Sequence, residues 1–125
     1  MSLLRRKKRV LLLDDDPSMQ RLVAKILKDE GYRVDVFLTG REAIAAAARD
    51  EYHVLLLDLM MPHEGGMTVI KHLRENNPLL LTRAVLFTGT SAAVIESMAA
   101  DVRMVLQKPF EPAQLIQIVR DVSSQ

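Results

Sequence analysis

The segment HVLLLDLMMP, from His53 to Pro62, constrains the fold of this 125-residue chain more than any other. Its four consecutive apolar residues, Val54 to Leu57, are typical of a strand that is buried on both faces of a parallel sheet. Asp58 follows the run directly. Because open parallel sheets bind ligands at the carboxyl ends of their strands, the segment predicts a charged group at the ligand-binding edge.

Strand-like and helix-like segments alternate along the chain. The predicted strands are Arg9 to Leu13, Tyr32 to Phe37 (an edge strand), Val54 to Leu57, Ala84 to Phe87 and Val102 to Leu106. The segments between and after the strands show the spacing of apolar residues that is typical of helices. In chain order, the five apolar faces are Met19, Leu22, Val23, Ile26 and Leu27; the small residues of Arg41 to Arg49; Met67, Val69, Ile70 and Leu73; Val94, Ile95 and Met98; and residues within Pro112 to Val122. Since the connections are short enough only for βα units, we predict the α/β class with a doubly wound parallel sheet.

Local signals mark where several of these helices begin and end. Asp16 followed by Pro17 predicts the cap and first turn of the first helix, which gives Asp16 a structural role. Gly31 predicts the end of that helix. The sequence Asn76-Asn77-Pro78 predicts the end of the third helix.

Composition indicates one globular domain and excludes several kinds of site. The chain is 49% hydrophobic and 26% charged, a balance that is sufficient for a core. It has no cysteine, which excludes disulfides, thiolate catalysis and cysteine-ligated metals. No apolar run is long enough to cross a bilayer, and the amino-terminal pattern is not that of a secretory signal, so we expect a cytoplasmic protein without membrane contact.

We expect residues 1–8 to form a basic arm ahead of a domain that spans residues 9–123. Five of the 17 positive charges lie between Arg5 and Arg9, and without them 12 would face 16 acidic residues. A basic run can contact nucleic acid or a membrane. No aromatic residues interleave these charges, so we interpret the arm as solvated and expect no direct nucleic-acid binding.

Polar side chains follow four of the five predicted strands. Asp14 and Asp15 follow the first strand, Asp58 the third, Thr88 the fourth and Lys108 the fifth. The carboxyl ends of parallel strands share one edge of the sheet, so these side chains are expected to converge. A single acid at a strand end is often a turn residue, but that interpretation does not explain the whole pattern.

Three neighbouring carboxylates repel one another and require a compensating cation. With oxygen donors only, the expected ion is Mg²⁺, with Mn²⁺ as a substitute. Beside such an ion, Asp58 can act as a nucleophile toward a phosphoryl group. The Lys108 ammonium and the Thr88 hydroxyl would then meet the charge on the phosphoryl oxygens. The alternative for Lys108 is a plain surface lysine. Against this alternative, the peptide bond to Pro109 at such a turn can be cis, which would fix the direction of the lysine.

Four motifs, in this order, resemble the receiver domain of two-component response regulators. They are LLLDDDP at residues 11–17, LDLMMP at 57–62, FTG at 87–89 and KPF at 108–110. The resemblance covers nearly the whole chain. It implies a flavodoxin-like (βα)5 fold with strand order 2-1-3-4-5.

The resemblance also assigns roles to individual residues. It implies that Asp58 accepts a phosphoryl group from a histidine kinase or a histidine phosphotransfer protein. Mg²⁺ would be bound directly by Asp15, by Asp58 and by the backbone carbonyl of Met60, whereas Asp14 would act through water. Lys108 would contact the phosphoryl oxygens.

Thr88 would be the switch hydroxyl that moves toward the phosphate. Its movement would remodel the face made by the fourth predicted helix, the last strand and the last helix. A downstream protein or a fused output domain would read this face, and by analogy a homodimer could form through it.

Several residues depart from the family pattern. Val105 stands where an aromatic residue usually pairs with the switch threonine, and Gly65 stands where an aspartate is common. Met60 and Thr90 occupy the positions that tune the lifetime of the phosphoryl group. Neither side chain offers an acid or an amide to position a water molecule, so we predict a long-lived phosphorylated state.

Three other functions compete with this interpretation. The first is a receiver-shaped interaction module that is not regulated by phosphorylation. The presence of Val105 where an aromatic residue is usual is consistent with this function. A phosphatase of the haloacid dehalogenase type needs a second acid two residues after the nucleophile, where this chain has Met60. A flavodoxin would have to bind a phosphate in the first loop, where three aspartates would repel it.

Overall fold

The computed structural model describes residues 6–61, 64–89, 102 and 104–125. Five strands form one parallel sheet in the order β2-β1-β3-β4-β5. They are β1 Arg9–Leu13, β2 Arg33–Phe37, β3 Val54–Leu57, β4 Ala84–Thr88 and β5 Met104–Gln107. The predicted class, the edge position of β2 and the strand order are confirmed.

The helices of the described residues are α1 Pro17–Asp29, α2 Gly40–Arg49, α3 Gly66–Asn76, α4 Pro78–Leu81 and α5 Pro112–Ser123. Four of them correspond to predicted helices. The helix predicted around Val94, Ile95 and Met98, together with Thr90, lies outside the described residues. None of the described helices combines the length and the apolar composition needed to cross a bilayer.

The predicted signals at both ends of α1 are confirmed. The Asp16 carboxylate accepts a hydrogen bond from the Ser18 backbone N–H at 3.0 Å, and Pro17 is the first helical residue. The helix is followed by Gly31, whose φ of +90° is in the region that glycine tolerates best. Asp16 therefore caps the helix, as its position before proline indicated.

The predicted bounds of the last strand are wrong at both ends. The last strand does not begin at Val102, which is buried but outside it, and it extends to Gln107, which lies opposite Thr88 on β4. After α3 the chain forms the unpredicted short helix α4, because Pro78 suits a first helical position and the Asn77 side chain accepts the Leu80 N–H.

One predicted core residue is also wrong. Leu22 was expected on the packed face of α1, but 47% of it is exposed. The buried residues of that helix are Val23 and Leu27, so the buried face of the helix is narrower than the apolar face predicted from the sequence.

Two apolar layers cover the sheet, one on each face. Helices α2, α3 and α4 pack on one face through buried residues that include Ala43, Ala46, Val69, Ile70, Leu73 and Leu81. Helices α1 and α5 pack on the other through Val23, Leu27, Leu115, Val119 and Val122. All residues of β3 and β4 are buried, so the polar residues at the ends of these strands are held at the edge of the core.

Candidate functional site

The acidic site, defined here as Asp14, Asp15, Asp58 and Lys108, lies at the carboxyl edge of the sheet. Asp14 is fully buried after β1, and Asp58 is 4% exposed after β3. The Asp58 N–H donates to the Leu13 carbonyl at 3.1 Å, which extends the pairing of β1 and β3. As a result, one carboxylate oxygen from each of the three aspartates lies within 4.8 Å of the others.

Lys108 reaches into this site from the end of β5. Its Nζ lies 3.0 Å from Asp14 Oδ2 and 3.3 Å from Asp58 Oδ2. The Lys108 N–H donates to the Thr88 carbonyl at 2.8 Å, and the peptide bond to Pro109 is cis. With only 20% of its side chain exposed, Lys108 is not a plain surface lysine.

Thr88 and Met60 are at the same edge. Thr88 is fully buried as the last residue of β4. The Met60 N–H donates to Asp58 Oδ1 at 2.9 Å, whereas 65% of the Met60 residue is exposed. The structure thus brings every predicted site residue to one edge of the sheet.

The loop after Asp58 approaches the backbone of that residue closely. The Gly66 N–H donates to the Asp58 carbonyl at 2.7 Å, and a Cβ added to Gly66 would lie 2.8 Å from the same oxygen. A Cβ added to Gly65 would lie 3.0 Å from the Met61 Cβ. A side chain at Gly65 therefore requires a small shift of the loop, and one at Gly66 would displace the backbone.

The charges of the acidic site are not balanced. Burial raises the pKa of the Asp58 carboxyl above its usual value, and the Asp14 carboxylate raises it further. The hydrogen bond from Met60 and the charge of Lys108 oppose this rise. Within the part of the chain that the structure describes, three carboxylates face one ammonium, so a bound cation would offset the excess negative charge. Because all the side-chain donors are oxygens, the site fits Mg²⁺.

Sequence reasoning missed the contacts that surround this site. The Lys108 Nζ lies 4.5 Å from the centroid of the Phe87 ring, and Phe110 packs against that ring at 5.4 Å with an interplanar angle of 64°. The Gln20 side chain donates to the Asp14 carbonyl at 2.6 Å. Phe87 is the first residue of the FTG motif and Phe110 the last of the KPF motif, which is the signal that could have indicated their proximity.

A second charged group, the Arg9 cluster (Arg9, Asp35, Asp50 and Tyr52), lies near the amino ends of β1 and β3. Arg9 Nη2 lies 2.8 Å from Asp35 Oδ2 and 3.5 Å from Asp50 Oδ2. The Tyr52 hydroxyl donates to Asp35 Oδ2 at 2.7 Å, and the guanidinium lies 5.0 Å from the Tyr52 ring centroid. Burial, followed by the nearby Asp35 carboxylate, raises the pKa of Tyr52 to about 12.

The chain is similar to curated regulators over most of its own length. The DNA-binding response regulator MtrA of Mycolicibacterium smegmatis is 34% identical over 116 residues, which cover 91% of this chain and 50% of the relative. The transcriptional regulatory protein ResD of Bacillus subtilis is 32% identical over 110 residues, covering 86% and 45%. The chain thus spans about half the length of the curated relatives it matches.

Solved structures share the fold. The chemotaxis response regulator CheY4 of Vibrio cholerae is 28% identical with a TM-score of 0.81, over 94% of this chain and 99% of that one. The receiver domain of the sensor histidine kinase PA1611 from Pseudomonas aeruginosa, described with a coordinated magnesium ion, is 24% identical with a TM-score of 0.84, over 96% and 100%. The sequence model of the response regulator receiver domain matches residues 10–120. The chain therefore belongs to the response regulator receiver domain family.

Proposed function

We propose that this chain is a phosphoacceptor whose Asp58 takes a phosphoryl group, in the presence of Mg²⁺, from a histidine kinase or a histidine phosphotransfer protein. The observation that supports this most strongly is the surroundings of the Asp58 carboxylate. It is almost fully buried at a strand end, within 4.8 Å of two other carboxylate groups and 3.3 Å from the Lys108 ammonium.

In the proposed reaction, an Asp58 carboxylate oxygen attacks the phosphorus of a phosphohistidine. The P–N bond breaks, and its electron pair stays on the imidazole nitrogen. The Met60 N–H and the Lys108 ammonium hold different oxygens of the attacking carboxylate, at 2.9 Å and 3.3 Å. Lys108 would then meet the phosphoryl oxygens, where charge spreads during the transfer.

The residues that would hold Mg²⁺ are Asp15, Asp58 and the Met60 carbonyl directly, and Asp14 through water. When bound, the ion would neutralise charge on the carboxylates and on the phosphoryl oxygens. Oxygen donors from the buried Asp14 and Asp58 and from the exposed Asp15 converge at this edge of the sheet, which supports this part of the proposal.

We further propose that phosphorylation acts on Thr88 and through it on a surface that other proteins bind. Val105, at the usual aromatic position, is 38% exposed and offers no ring to pair with the threonine. The exposed Met60 side chain has no group that could position an attacking water molecule, and neither an acid nor an amide is present at Thr90. A long-lived phosphorylated state is therefore part of the proposal.

The proposed receiver spans residues 9–123, preceded by the basic arm of residues 1–8. The family match over residues 10–120 supports this range. The relatives are named as DNA-binding or transcriptional regulators and are about twice as long, which supports a downstream protein or a fused output domain as the next partner. We propose that this domain binds no nucleic acid itself and that it acts in the cytoplasm. We also propose that any homodimer forms through the face made by the fourth predicted helix, the last strand and the last helix.

Intact mass after incubation with acetyl phosphate and Mg²⁺ tests the proposal. We expect one added phosphoryl group, which Asp58→Asn or chelation of the metal abolishes. Asp35→Asn is the matched control, because Asp35 is a half-buried, cation-paired aspartate that lies within β2, opposite Leu11, and is not part of the acidic site at the carboxyl edge. Decay of the adduct over hours would support a long lifetime, and an adduct that persists in Asp58→Asn would contradict the assigned acceptor.

A receiver-shaped interaction module without phosphorylation is the second candidate function, because Val105 removes the usual aromatic partner of the switch. It would be supported by a folded, Mg²⁺-binding protein that takes up no phosphoryl group. The phosphatase alternative remains disfavoured by Met60, which stands where that mechanism needs an acid. Multiple turnover of a phosphate ester by the purified chain would reverse this order.

A further inference from the structure

Among the described residues, the Lys108 ammonium has three partners, and one of them is an aromatic ring. Besides Asp14 and Asp58, the Nζ atom lies 4.5 Å from the centroid of the Phe87 ring. Phe87 is fully buried. A cation close to a ring is attracted by the negative charge of the ring face, and the attraction is stronger when water is excluded.

The ring itself has little freedom to move. Phe87 belongs to β4, where it lies opposite Leu106 of β5, and it is packed in the apolar layer beneath α1 and α5. Phe110 holds it by an edge-to-face contact at 5.4 Å and 64°. Because Phe110 is only two residues after Lys108, the same turn carries both the ammonium and the residue that supports its aromatic partner.

We propose that Phe87 is a positioning residue, whose ring holds the Lys108 ammonium beside Asp58 so that the ammonium can meet an incoming phosphoryl group. This inference rests on the proposed function. A lysine side chain has four flexible methylene groups, and its attraction to the carboxylates weakens when another cation shares their charge. The ring neither ionises nor binds the metal, so its attraction for Lys108 remains when another cation is bound by the carboxylates.

Fluorinated phenylalanines at position 87 test the proposal, because fluorine withdraws charge from the ring face and changes its shape little. With one, two and three fluorines, the rate of phosphorylation by acetyl phosphate at saturating Mg²⁺ should fall stepwise, by about threefold to tenfold in total. The same series at Phe37, which packs on the opposite face of the sheet, should leave the rate unchanged. In a Lys108→Met background, the dependence on fluorine should disappear.

A second measurement needs neither metal nor phosphodonor. In the NMR spectrum of the metal-free protein, the methylene protons next to the Lys108 Nζ should be shifted upfield by the ring, and Phe87→Leu should remove this shift. The fluorinated series keeps the proposal testable if Phe87→Leu fails to fold.

The possible results are distinguishable. An absent upfield shift, or a phosphorylation rate that is insensitive to fluorine at position 87, would overturn the proposal. An upfield shift in a protein that acetyl phosphate does not modify would instead overturn the proposed function, and the positioning role with it. A shift together with a stepwise fall in rate would support both.

Discussion

The Arg9 cluster and the acidic site both bury carboxylates against a cation, yet the pKa values of their aspartates move in opposite directions. Burial alone would raise the pKa of Asp35, but the hydrogen bonds from Arg9 and Tyr52 and the charge of Arg9 outweigh it and lower the value. Burial raises the pKa of Asp58, and the contacts from Met60 and Lys108 do not compensate.

The difference lies in the ratio of negative to positive groups. In the Arg9 cluster, Asp35 and Asp50 share the Arg9 guanidinium, and each also has a second one, Arg33 at 3.5 Å from Asp35 and Arg49 at 3.3 Å from Asp50, so two carboxylates face three cations. The Tyr52 phenol also donates to Asp35, which further favours the ionised form of that carboxyl in the fold. In the acidic site, three carboxylates share one ammonium. A balanced, half-buried cluster contributes to stability, whereas an unbalanced, buried one costs stability and is typical of a ligand or catalytic site.

The largest effect is expected at the balanced cluster. Asp35→Asn removes the closer of the two carboxylates that pair with Arg9, and the guanidinium keeps the longer ion pair to Asp50 at 3.5 Å and its contact with the Tyr52 ring. We expect the free energy of unfolding at pH 7 to fall by about 2 kcal/mol, less than for a completely buried pair because a fifth of each side chain is exposed. Urea unfolding measures this change.

The control for this variant is Asp29→Asn, in the exposed pair between Lys25 and Asp29, where the side chains are 78% and 66% exposed. It should change the free energy of unfolding by about 0.5 kcal/mol or less. Equal losses in the two variants would mean that the Arg9 cluster stabilises the fold no more than a surface pair.

The acidic site should respond with the opposite sign. Asp58→Asn removes one of three repelling carboxylates, so in metal-free buffer it should raise the free energy of unfolding by roughly 1 kcal/mol. Mg²⁺ should stabilise the wild-type chain more than this variant and narrow the gap. A loss of stability in metal-free buffer would show that Met60 and Lys108 compensate the Asp58 carboxylate adequately without a metal.

The same contrast predicts a difference in pH dependence. The stability that Asp35 contributes is fully present above 3.8, its ordinary pKa, and is lost as the pH falls through the lowered pKa. The cost of ionised Asp58 is present above its raised pKa and disappears as the pH falls toward 3.8. The free energy of unfolding of both variants should therefore be compared with that of the wild type between about pH 3 and pH 7. As the pH falls, the extra stability of Asp58→Asn should disappear at a higher pH than the stability loss of Asp35→Asn. The reverse order would contradict one of the two assigned shifts.

Much of the fold and of the acidic site was predictable from the sequence. Buried runs that end in Asp58 and Thr88 are typical of parallel strands, and parallel strands share a carboxyl edge, so the convergence of their polar ends follows from the class. The predicted order of the strands is confirmed. The roles of the individual side chains in phosphoryl transfer stay a prediction that the experiments above address.

The Arg9 cluster could not be predicted in this way. The register of β1 and β2 places Asp35 opposite Leu11, and Arg9 lies two residues before Leu11 on the same face of the sheet, so Asp35 and Arg9 can meet. Neither Asp35 nor Arg9 belongs to a motif. The contact of Phe87 with Lys108 likewise depends on how two strand ends and a turn pack together. Spacing along the chain identifies elements and the edge they share, but not which side chains meet within a packed layer.

Tyr52 provides the most selective probe of the balanced cluster. Tyr52→Phe removes the hydroxyl that donates to Asp35 at 2.7 Å but keeps a ring that can lie beside Arg9. We expect a loss of about 0.5–1 kcal/mol in the free energy of unfolding, smaller than for Asp35→Asn because Asp35 keeps its guanidinium. Ultraviolet titration of the wild-type chain should show a phenol that ionises near its raised pKa of about 12, and the variant should lack it. If Tyr52 instead ionised near pH 10, the value of an ordinary phenol, its hydroxyl would not be bound to Asp35 in solution, and the ionised form of Asp35 would be stabilised by guanidinium groups alone.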